Sequence, residues 1–307
     1  MTLRFGDIDP GRKADIARAL SRIEETDGTV RHAGFLDEAA RAAGARVIGL
    51  TGPPGVGKST LTNRLVKVWR KAGLSVAVIA VDPSSRLTGG ALLGDRTRLT
   101  TDPDDTGVFV RSFAARDRLG GLSDHAVAAI RIVSAFFDRV LVESVGIGQS
   151  ESDLAFAVDT TILCVQPGSG DSLQFMKAGI MELPDIVAVT KADMGRDARR
   201  ALADVEGALS LGPDDRTAEV LMVSSETGEG IDGLVAACDR HADALRQEGR
   251  LARRRAAQAR YWYRDAIRRR FGEWGLADLD DPDFERGSVG LYAAIAETFT
   301  RLADRAR

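Results

Sequence analysis

Residues 52–59 read Gly-Pro-Pro-Gly-Val-Gly-Lys-Ser, the residue types and spacing of a loop that wraps phosphate groups. Glycines in such a loop let the backbone turn its N–H groups towards phosphate at the positive end of the following helix. We expect Lys58 to reach the β- and γ-phosphates as a catalytic residue, and the Ser59 hydroxyl to complete a Mg²⁺ shell. The predicted contacts to a nucleoside triphosphate are Gly52, Pro53, Pro54, Gly55, Val56, Gly57, Lys58, Ser59 and Thr60.

Two later segments predict which base the nucleotide carries. Thr190-Lys191-Ala192-Asp193 follows an apolar run and resembles the [NT]-K-x-D motif of G proteins. A carboxylate at Asp193 can accept hydrogen bonds from guanine N1–H and the exocyclic amine, whereas adenine lacks this pair of donors. Val223-Ser224-Ser225-Glu226 matches the later loop whose backbone N–H groups meet guanine O6. GTP is therefore the predicted ligand, with Thr190, Lys191, Asp193, Ser224, Ser225 and Glu226 around the base.

Acidic residues after other apolar runs are candidates for metal binding and catalysis. Glu143 follows residues 140–142 in the position of a Walker B acid, from which a carboxylate reaches Mg²⁺ directly or through water. We expect Glu143 to be catalytic, and Gln149 is a candidate for orienting the attacking water. Asp82 and Asp95 add carboxylates near the phosphates, although turn-forming residues at loop starts are the alternative interpretation of both.

These residues depend on an alternation of β-rich runs and helical stretches. The predicted strands are Val47–Thr51, Ser75–Val81, Val108–Arg111, Arg139–Glu143, Thr161–Val165, Ile186–Thr190 and Val220–Val223. Such alternation predicts an α/β fold, a P-loop NTPase with a mostly parallel sheet flanked by helices. We expect an N-terminal helical extension at 1–45, a GTPase domain at 46–247 and a C-terminal helical arm at 248–307.

The start of this arm is rich in arginine. Nine arginines fall between Arg250 and Arg270, interleaved with an apolar stripe of Ala252, Ala256, Ala259, Tyr263 and Ala266. The pattern predicts an amphipathic helix that faces solvent or another subunit. A nucleic-acid-binding arm is the alternative, but the net charge of −3 provides no basic excess to support it.

The remaining composition excludes several protein classes. No apolar run is long enough to span a membrane and no signal-like N-terminus occurs, so we expect a cytoplasmic protein without a membrane or nucleic-acid partner. Cys164 and Cys238 have no partner at metal-ligand spacing, which predicts buried or incidental thiols. The histidines, His32, His125 and His241, are scattered.

Four longer segments together resemble one family, the MeaB/ArgK-like G proteins. They are Val81–Ser85, Thr88–Arg98, Glu143–Glu151 and Pro167–Gln174, and the similarity spans 36–243. The resemblance implies a GTPase of the SIMIBI class that is a chaperone of adenosylcobalamin-dependent acyl-CoA mutases such as methylmalonyl-CoA mutase. Such proteins gate cofactor loading and protect or reactivate the mutase. A homodimer held by the C-terminal arm is also implied.

The resemblance extends to individual residues. It implies that Asp82, Asp95 and Glu143 organise Mg²⁺ together with Ser59. Asp171 and Lys177 match the additional switch segment of the family, which couples the nucleotide state to the mutase.

Two other functions are possible on the same scaffold. A P-loop kinase for a small-molecule acceptor would typically prefer ATP, which the T-K-x-D and S-S-E segments argue against. A nickel-insertion GTPase would depend on His/Cys clusters that this chain lacks. Slow hydrolysis of GTP without an acceptor would favour the switch protein over the kinase.

Overall fold

A computed structural model describes most of the chain, and the central sheet explains how the candidate residues come together. The described residues are 4–9, 11–25, 30–82, 102, 104–114, 122–144, 151–168, 184–210, 218–277 and 279–305. The strands are β1 (Arg46–Thr51), β2 (Val76–Asp82), β3 (Val108–Ala114), β4 (Arg139–Glu143), β5 (Thr160–Val165), β6 (Ile186–Val189) and β7 (Glu219–Met222).

The seven strands form one sheet in the order β3-β2-β4-β1-β5-β6-β7, and every paired neighbour runs parallel. This confirms the predicted fold class. Strands β1, β4, β5 and β6 are buried along nearly their whole length, as expected when helices cover both faces of a parallel sheet. All carboxyl ends therefore meet at one edge, where the loops that bind ligands are found.

Helices cover both faces of the sheet. Those in the described residues are α1 (Lys13–Glu25), α2 (Ala33–Ala42), α3 (Lys58–Lys71), α4 (Asp124–Val133), α5 (Glu151–Ala155), α6 (Arg196–Leu209), α7 (Ile231–Arg246), α8 (Arg250–Phe271) and α9 (Leu291–Arg305). Helices α1, α2 and α4 share a core with one face, and α3 and α7 share a core with the other. No helix in these ranges is long and apolar enough to cross a membrane.

Helix α4 covers Asp124–Val133 and begins at a capping residue. Ser123 caps its start, since the Ser123 hydroxyl accepts a hydrogen bond of 3.2 Å from the Ala126 N–H. The helix ends at Val133, and the Ser134 hydroxyl donates to the Ile130 carbonyl at 2.6 Å in its last turn. The remaining residues before β4 form a turn instead.

The apolar stripe of α8 packs within its own chain. Ala256, Tyr263 and Ala266 are 3%, 1% and 9% exposed and share a core with Ala294 and Leu302 of α9. The expectation that this stripe faces solvent or a second subunit is therefore wrong for these three residues. Helix α9 returns along α8 and covers them, a contact between separate helices that the periodicity of α8 alone could not reveal.

Candidate nucleotide site

The phosphate-binding loop connects β1 to α3 in a conformation that depends on glycine. Gly52 has a φ of +134°, and a Cβ atom there would lie 2.3 Å from the Cys164 carbonyl oxygen. Gly57, at a φ of +98°, is the left-handed residue immediately before α3, whose start has no side-chain cap. The first N–H groups of α3 thus remain available to an anion, which is the arrangement that binds phosphate.

Lys58 lies folded back over its own loop. Its Nζ donates to the carbonyl oxygens of Gly52 at 2.7 Å and Pro53 at 3.2 Å, and the residue is 7% exposed. Neutral carbonyls are weaker partners for a buried ammonium group than a phosphate oxygen would be. The lysine is therefore held at the loop in a position from which it can move onto bound phosphate.

Glu143 lies beside this loop because β4 is the neighbour of β1, with Glu143 in register with Leu50. Its carboxylate accepts hydrogen bonds from the Ser59 hydroxyl at 2.6 Å and the Thr62 hydroxyl at 3.2 Å. The resulting group of oxygen atoms has the chemistry that Mg²⁺ prefers. Thr62 was not singled out from the sequence, although its position three residues after Ser59 puts both hydroxyls on one face of α3.

Thr190 joins the predicted base-binding loop to the phosphate-binding loop. Its hydroxyl lies 2.8 Å from the Val56 carbonyl oxygen and 3.1 Å from that of Val165. Lys191 takes a left-handed backbone conformation at a φ of +56°, and its Nζ donates to Gln166 Oε1 at 2.6 Å. Gln166 was not singled out from the sequence.

The T-K-x-D and S-S-E segments meet through the Ser224 hydroxyl and through the Ala192 N–H, which donates to the Val223 carbonyl at 3.1 Å. Ser224, which is 0% exposed, donates from Oγ to Asp193 Oδ1 at 2.6 Å. The Ser224 Oγ also accepts from the Thr227 N–H at 3.2 Å. Asp193 itself is exposed at this edge, so its carboxylate is oriented by a buried neighbour and open to a ligand.

Arg64 of α3 contacts the backbone of the S-S-E segment. Its guanidinium donates to the carbonyl oxygens of Ser225 and Glu226, the latter at 2.6 Å. The sequence carried no signal for this residue, because an arginine in the second turn of a helix usually faces solvent.

The structure brings some of the predicted site residues together, and others lie outside the part of the chain that it describes. Lys58, Ser59 and Glu143 form one cluster, and Thr190, Asp193 and Ser224 form a second one that Val56 connects to the first. Asp82 ends β2 at the same edge, but its side chain lies outside the described part of the structure. Gln149, Asp95, Asp171 and Lys177 also lie outside the described residues.

Cys164 lies beneath the phosphate-binding loop and is fully buried. Burial raises the pKa of its thiol to about 12, which keeps it protonated near neutral pH. The same cause raises the pKa of Cys238 to about 12. Neither thiol is available as a nucleophile or metal ligand.

The two clusters together can bind a nucleotide along the edge of the sheet. One end provides unpaired helix N–H groups, a lysine and a carboxylate for phosphate and a cation. The other provides an oriented carboxylate for a purine base. A polyphosphate with a base attached would contact both clusters.

Comparisons with known proteins agree with this geometry. A family model described as "Methylmalonyl Co-A mutase-associated GTPase MeaB" matches residues 16–274. A putative GTPase of Pyrococcus horikoshii is 44% identical over 222 residues, which cover 69% of this chain and 68% of that protein. The mouse mitochondrial methylmalonic aciduria type A homolog is 33% identical over 271 residues, which cover 82% of this chain and 65% of that protein.

Among solved structures, one described as a LAO/AO transport system kinase has a similar fold. It superposes with a TM-score of 0.70 at 26% sequence identity, and the match covers 95% of this chain and 94% of that one. The similarity therefore extends over the sheet, both helical layers and the C-terminal helices.

Proposed function

Since the chain belongs to the MeaB family and is a P-loop GTPase, we propose that its nucleotide cycle gates cofactor loading into an adenosylcobalamin-dependent acyl-CoA mutase and protects or reactivates that enzyme. The match of residues 16–274 to a family described by its association with methylmalonyl-CoA mutase carries this proposal. The similarity to the mouse methylmalonic aciduria type A homolog supports it.

In this proposal Lys58 and the start of α3 hold the β- and γ-phosphates. Ser59 and Glu143, which already share a hydrogen bond of 2.6 Å, hold Mg²⁺ together with Asp82 and Asp95. When bound, Mg²⁺ neutralises the charge that develops on the phosphate oxygens during hydrolysis. Gln149 orients the attacking water. Hydrolysis releases the γ-phosphate, so the residues that contacted it lose that contact and can move.

The base end selects guanine. Asp193 accepts from N1–H and the exocyclic amine, while Thr190 ties this loop to the phosphate-binding loop through the Val56 carbonyl. Ser225 and Glu226 offer backbone N–H groups to O6. A carboxylate left without these donors would disfavour adenine, which gives the switch its specificity for GTP.

Asp171 and Lys177 belong to the segment that reports the nucleotide state to the mutase. Lys191 connects the base-binding loop to Gln166, immediately before Pro167, which begins that segment. A change at the base can thus reach Gln166, next to the start of that segment. The C-terminal arm additionally holds two copies of the chain together as a homodimer.

The test is a GTPase assay with and without a purified adenosylcobalamin-dependent acyl-CoA mutase. We expect slow hydrolysis by the chain alone and faster hydrolysis with the mutase. Lys58→Ala abolishes both rates because it removes the cation that faces the transferred phosphoryl group. Lys177→Ala keeps the affinity for GTP and lowers only the rate with mutase. An equal rate with and without every mutase tested, or equal stimulation of Lys177→Ala and the native chain, contradicts the proposal.

A kinase acting on a small-molecule acceptor is the second candidate, because the solved structure with a TM-score of 0.70 is described as a kinase. The same assay distinguishes the two functions. A switch releases one inorganic phosphate per GTP without any acceptor, whereas a kinase depends on the acceptor for turnover.

A further inference from the structure

Arg64 connects the helix that follows the phosphate-binding loop to the loop at the base end. Its guanidinium Nε donates to the Ser225 carbonyl, and one terminal nitrogen donates to the Glu226 carbonyl at 2.6 Å. Helix α3 is a rigid support for this contact, since Leu61 and Leu65 on either side of Arg64 are both 0% exposed. Arg64 therefore forms a second connection between the two ends of the site, in addition to the Thr190 hydroxyl.

The orientation of each peptide unit in the loop follows from these bonds. In a trans peptide the carbonyl and the next N–H point in opposite directions. The Ser224 carbonyl accepts from the Gly228 N–H at 2.9 Å, which directs the Ser225 N–H away from that bond. Arg64 holds the Ser225 carbonyl, and this directs the Glu226 N–H away from α3.

The neighbouring peptide is held at both ends. Arg64 binds the Glu226 carbonyl, and the Thr227 N–H of the same peptide donates to Ser224 Oγ at 3.2 Å. The N–H groups of Ser225 and Glu226 make no hydrogen bond to the residues that the structure describes. The loop thus presents two free donors whose direction is set by groups on the other side of the backbone.

We propose that Arg64 is a positioning residue that directs the Glu226 N–H towards O6 of a bound guanine and so increases base selectivity. The inference rests on the proposed GTP site and deepens it. Arg64 would act through the loop and does not itself touch the nucleotide. A charge-assisted fork on two successive carbonyls is well suited to this, because it fixes the loop at two points.

The test compares dissociation constants for three nucleotides, measured by calorimetry. GTP carries the N1–H and the exocyclic amine, which would contact Asp193, and O6, which would contact the Glu226 N–H. In 6-thio-GTP, sulfur replaces O6 and accepts hydrogen bonds weakly, while N1–H and the amine remain for Asp193. ITP keeps O6 and lacks the amine. The proteins are the native chain, Arg64→Ala and the matched control Lys67→Ala, which removes an exposed cation of the same helix.

We expect Arg64→Ala to weaken GTP binding by about tenfold, the effect of one hydrogen bond to a well-placed donor. Its preference for GTP over 6-thio-GTP should nearly vanish, while its preference for GTP over ITP should match that of the native chain. Arg64→Lys, which keeps the charge and loses the fork, should recover only part of the preference. Lys67→Ala should bind all three nucleotides as the native chain does.

A merely structural or electrostatic role for Arg64 gives a different result. Equal weakening of all three nucleotides, or an unchanged preference for GTP over 6-thio-GTP, overturns the inference. Failure of the proposed GTP site would instead show in the native chain, as a lack of preference for GTP over ITP. The melting temperature of each variant without nucleotide reveals any loss of folding independently.

Discussion

The orientation of single carbonyl and hydroxyl groups determines what the base end of the site can recognise. Ser224 is wholly buried, and its one hydroxyl both donates to Asp193 and accepts from the Thr227 N–H. A hydroxyl used in both directions fixes the Asp193 carboxylate and the S-S-E loop relative to each other. Preparing the carboxylate in this way reduces the entropy lost when a base binds.

Asp193→Asn should weaken GTP binding by about 2–4 kcal/mol, because an amide replaces one of two charge-assisted bonds to guanine with a mismatched pair of donors. Xanthosine triphosphate, which carries an acceptor in place of the amine, should bind this variant better than GTP does. Calorimetry with both nucleotides measures the change. The matched control is Asp197→Asn, an exposed acid at the start of α6 that should leave both affinities unaltered. An unchanged affinity of Asp193→Asn for GTP excludes Asp193 from the site.

At the scale of elements, helix α8 is attached to the amino ends of the strands, opposite the nucleotide site. Arg254 forms two bonds of 2.9 and 2.8 Å to Asp185, just before β6, and Arg255 pairs with Asp159 at 2.9 Å, just before β5. The Trp262 indole N–H also donates to the Phe156 carbonyl at 2.7 Å. Arginines that suggest a charged surface in the sequence therefore neutralise carboxylates of the same chain.

Asp185 makes this attachment dependent on pH. Burial alone would raise its pKa, but hydrogen bonds from His241 and Arg254 outweigh it and lower the pKa from 3.8 to about 2. A carboxyl whose pKa is lower in the folded state stabilises the fold above its unfolded pKa, and this stability is lost as the pH falls. The contribution is thus present above about pH 4 and disappears as the pH approaches about 2.

Asp185→Asn should lower the free energy of unfolding by about 2 kcal/mol at neutral pH, the value of such a pKa shift. Urea unfolding at a series of pH values should show the difference from the native chain shrinking below about pH 4. Asp243→Asn is the control, since Asp243 is 59% exposed and pairs with Arg46 and Arg246 at the surface. Its effect should stay below about 1 kcal/mol. A pH-independent loss for Asp185→Asn would contradict this assignment.

Over the whole molecule, the two ends of the chain pack against each other and against the sheet. Asp37 of α2 accepts hydrogen bonds from the N–H groups of Tyr292 at 3.1 Å and Ala293 at 2.9 Å and so caps α9. Burial raises the pKa of Asp37 despite these bonds. Trp262 and Tyr292 belong to the same core as α1, α2 and α4. The division at 45/46 and 247/248 stays a prediction.

This packing affects how self-association should be tested. A truncation after Asp243 would remove α8 and α9 and expose the core that they cover. A point substitution on the surface of the arm leaves this core covered. Trp274, just after α8, is 55% exposed and lies 6.4 Å from Phe271 between ring centroids. Large exposed aromatic side chains are typical of protein interfaces.

Light scattering should report a dimer for the full chain and a monomer for Trp274→Glu, because a charge at the centre of an apolar contact loses its hydration without gaining a partner. Met194→Glu is the control, since Met194 is 45% exposed but follows Asp193 at the nucleotide site. Trp274→Glu should hydrolyse GTP at the native rate per chain, because Trp274 belongs to the C-terminal arm and not to the nucleotide site. A monomeric native chain contradicts the homodimer, and a dimeric Trp274→Glu variant contradicts this part of the arm as its interface.

The sequence alone was enough to predict the phosphate-binding loop and the sheet. Both can be recognised from short stretches of sequence. The glycine spacing of 52–59 favours one backbone conformation, and each short apolar run indicates a buried strand. All seven predicted strands are confirmed, with ends that differ by up to three residues. The motif segments along the chain also identified the family. Their residues can act together because parallel strands bring the ends of separate runs to one edge.

Contacts between distant elements determine which residues outside the motifs support that edge. Arg64 and Ser225 are 161 positions apart, and Asp185 and Arg254 are 69 apart, so no local pattern relates either pair. The same is true of the apolar stripe on α8, whose period predicts a buried face but not that α9 of the same chain buries it. Contacts between distant elements arise from the packing of the whole chain, and the propensity of a single segment contains no information about them.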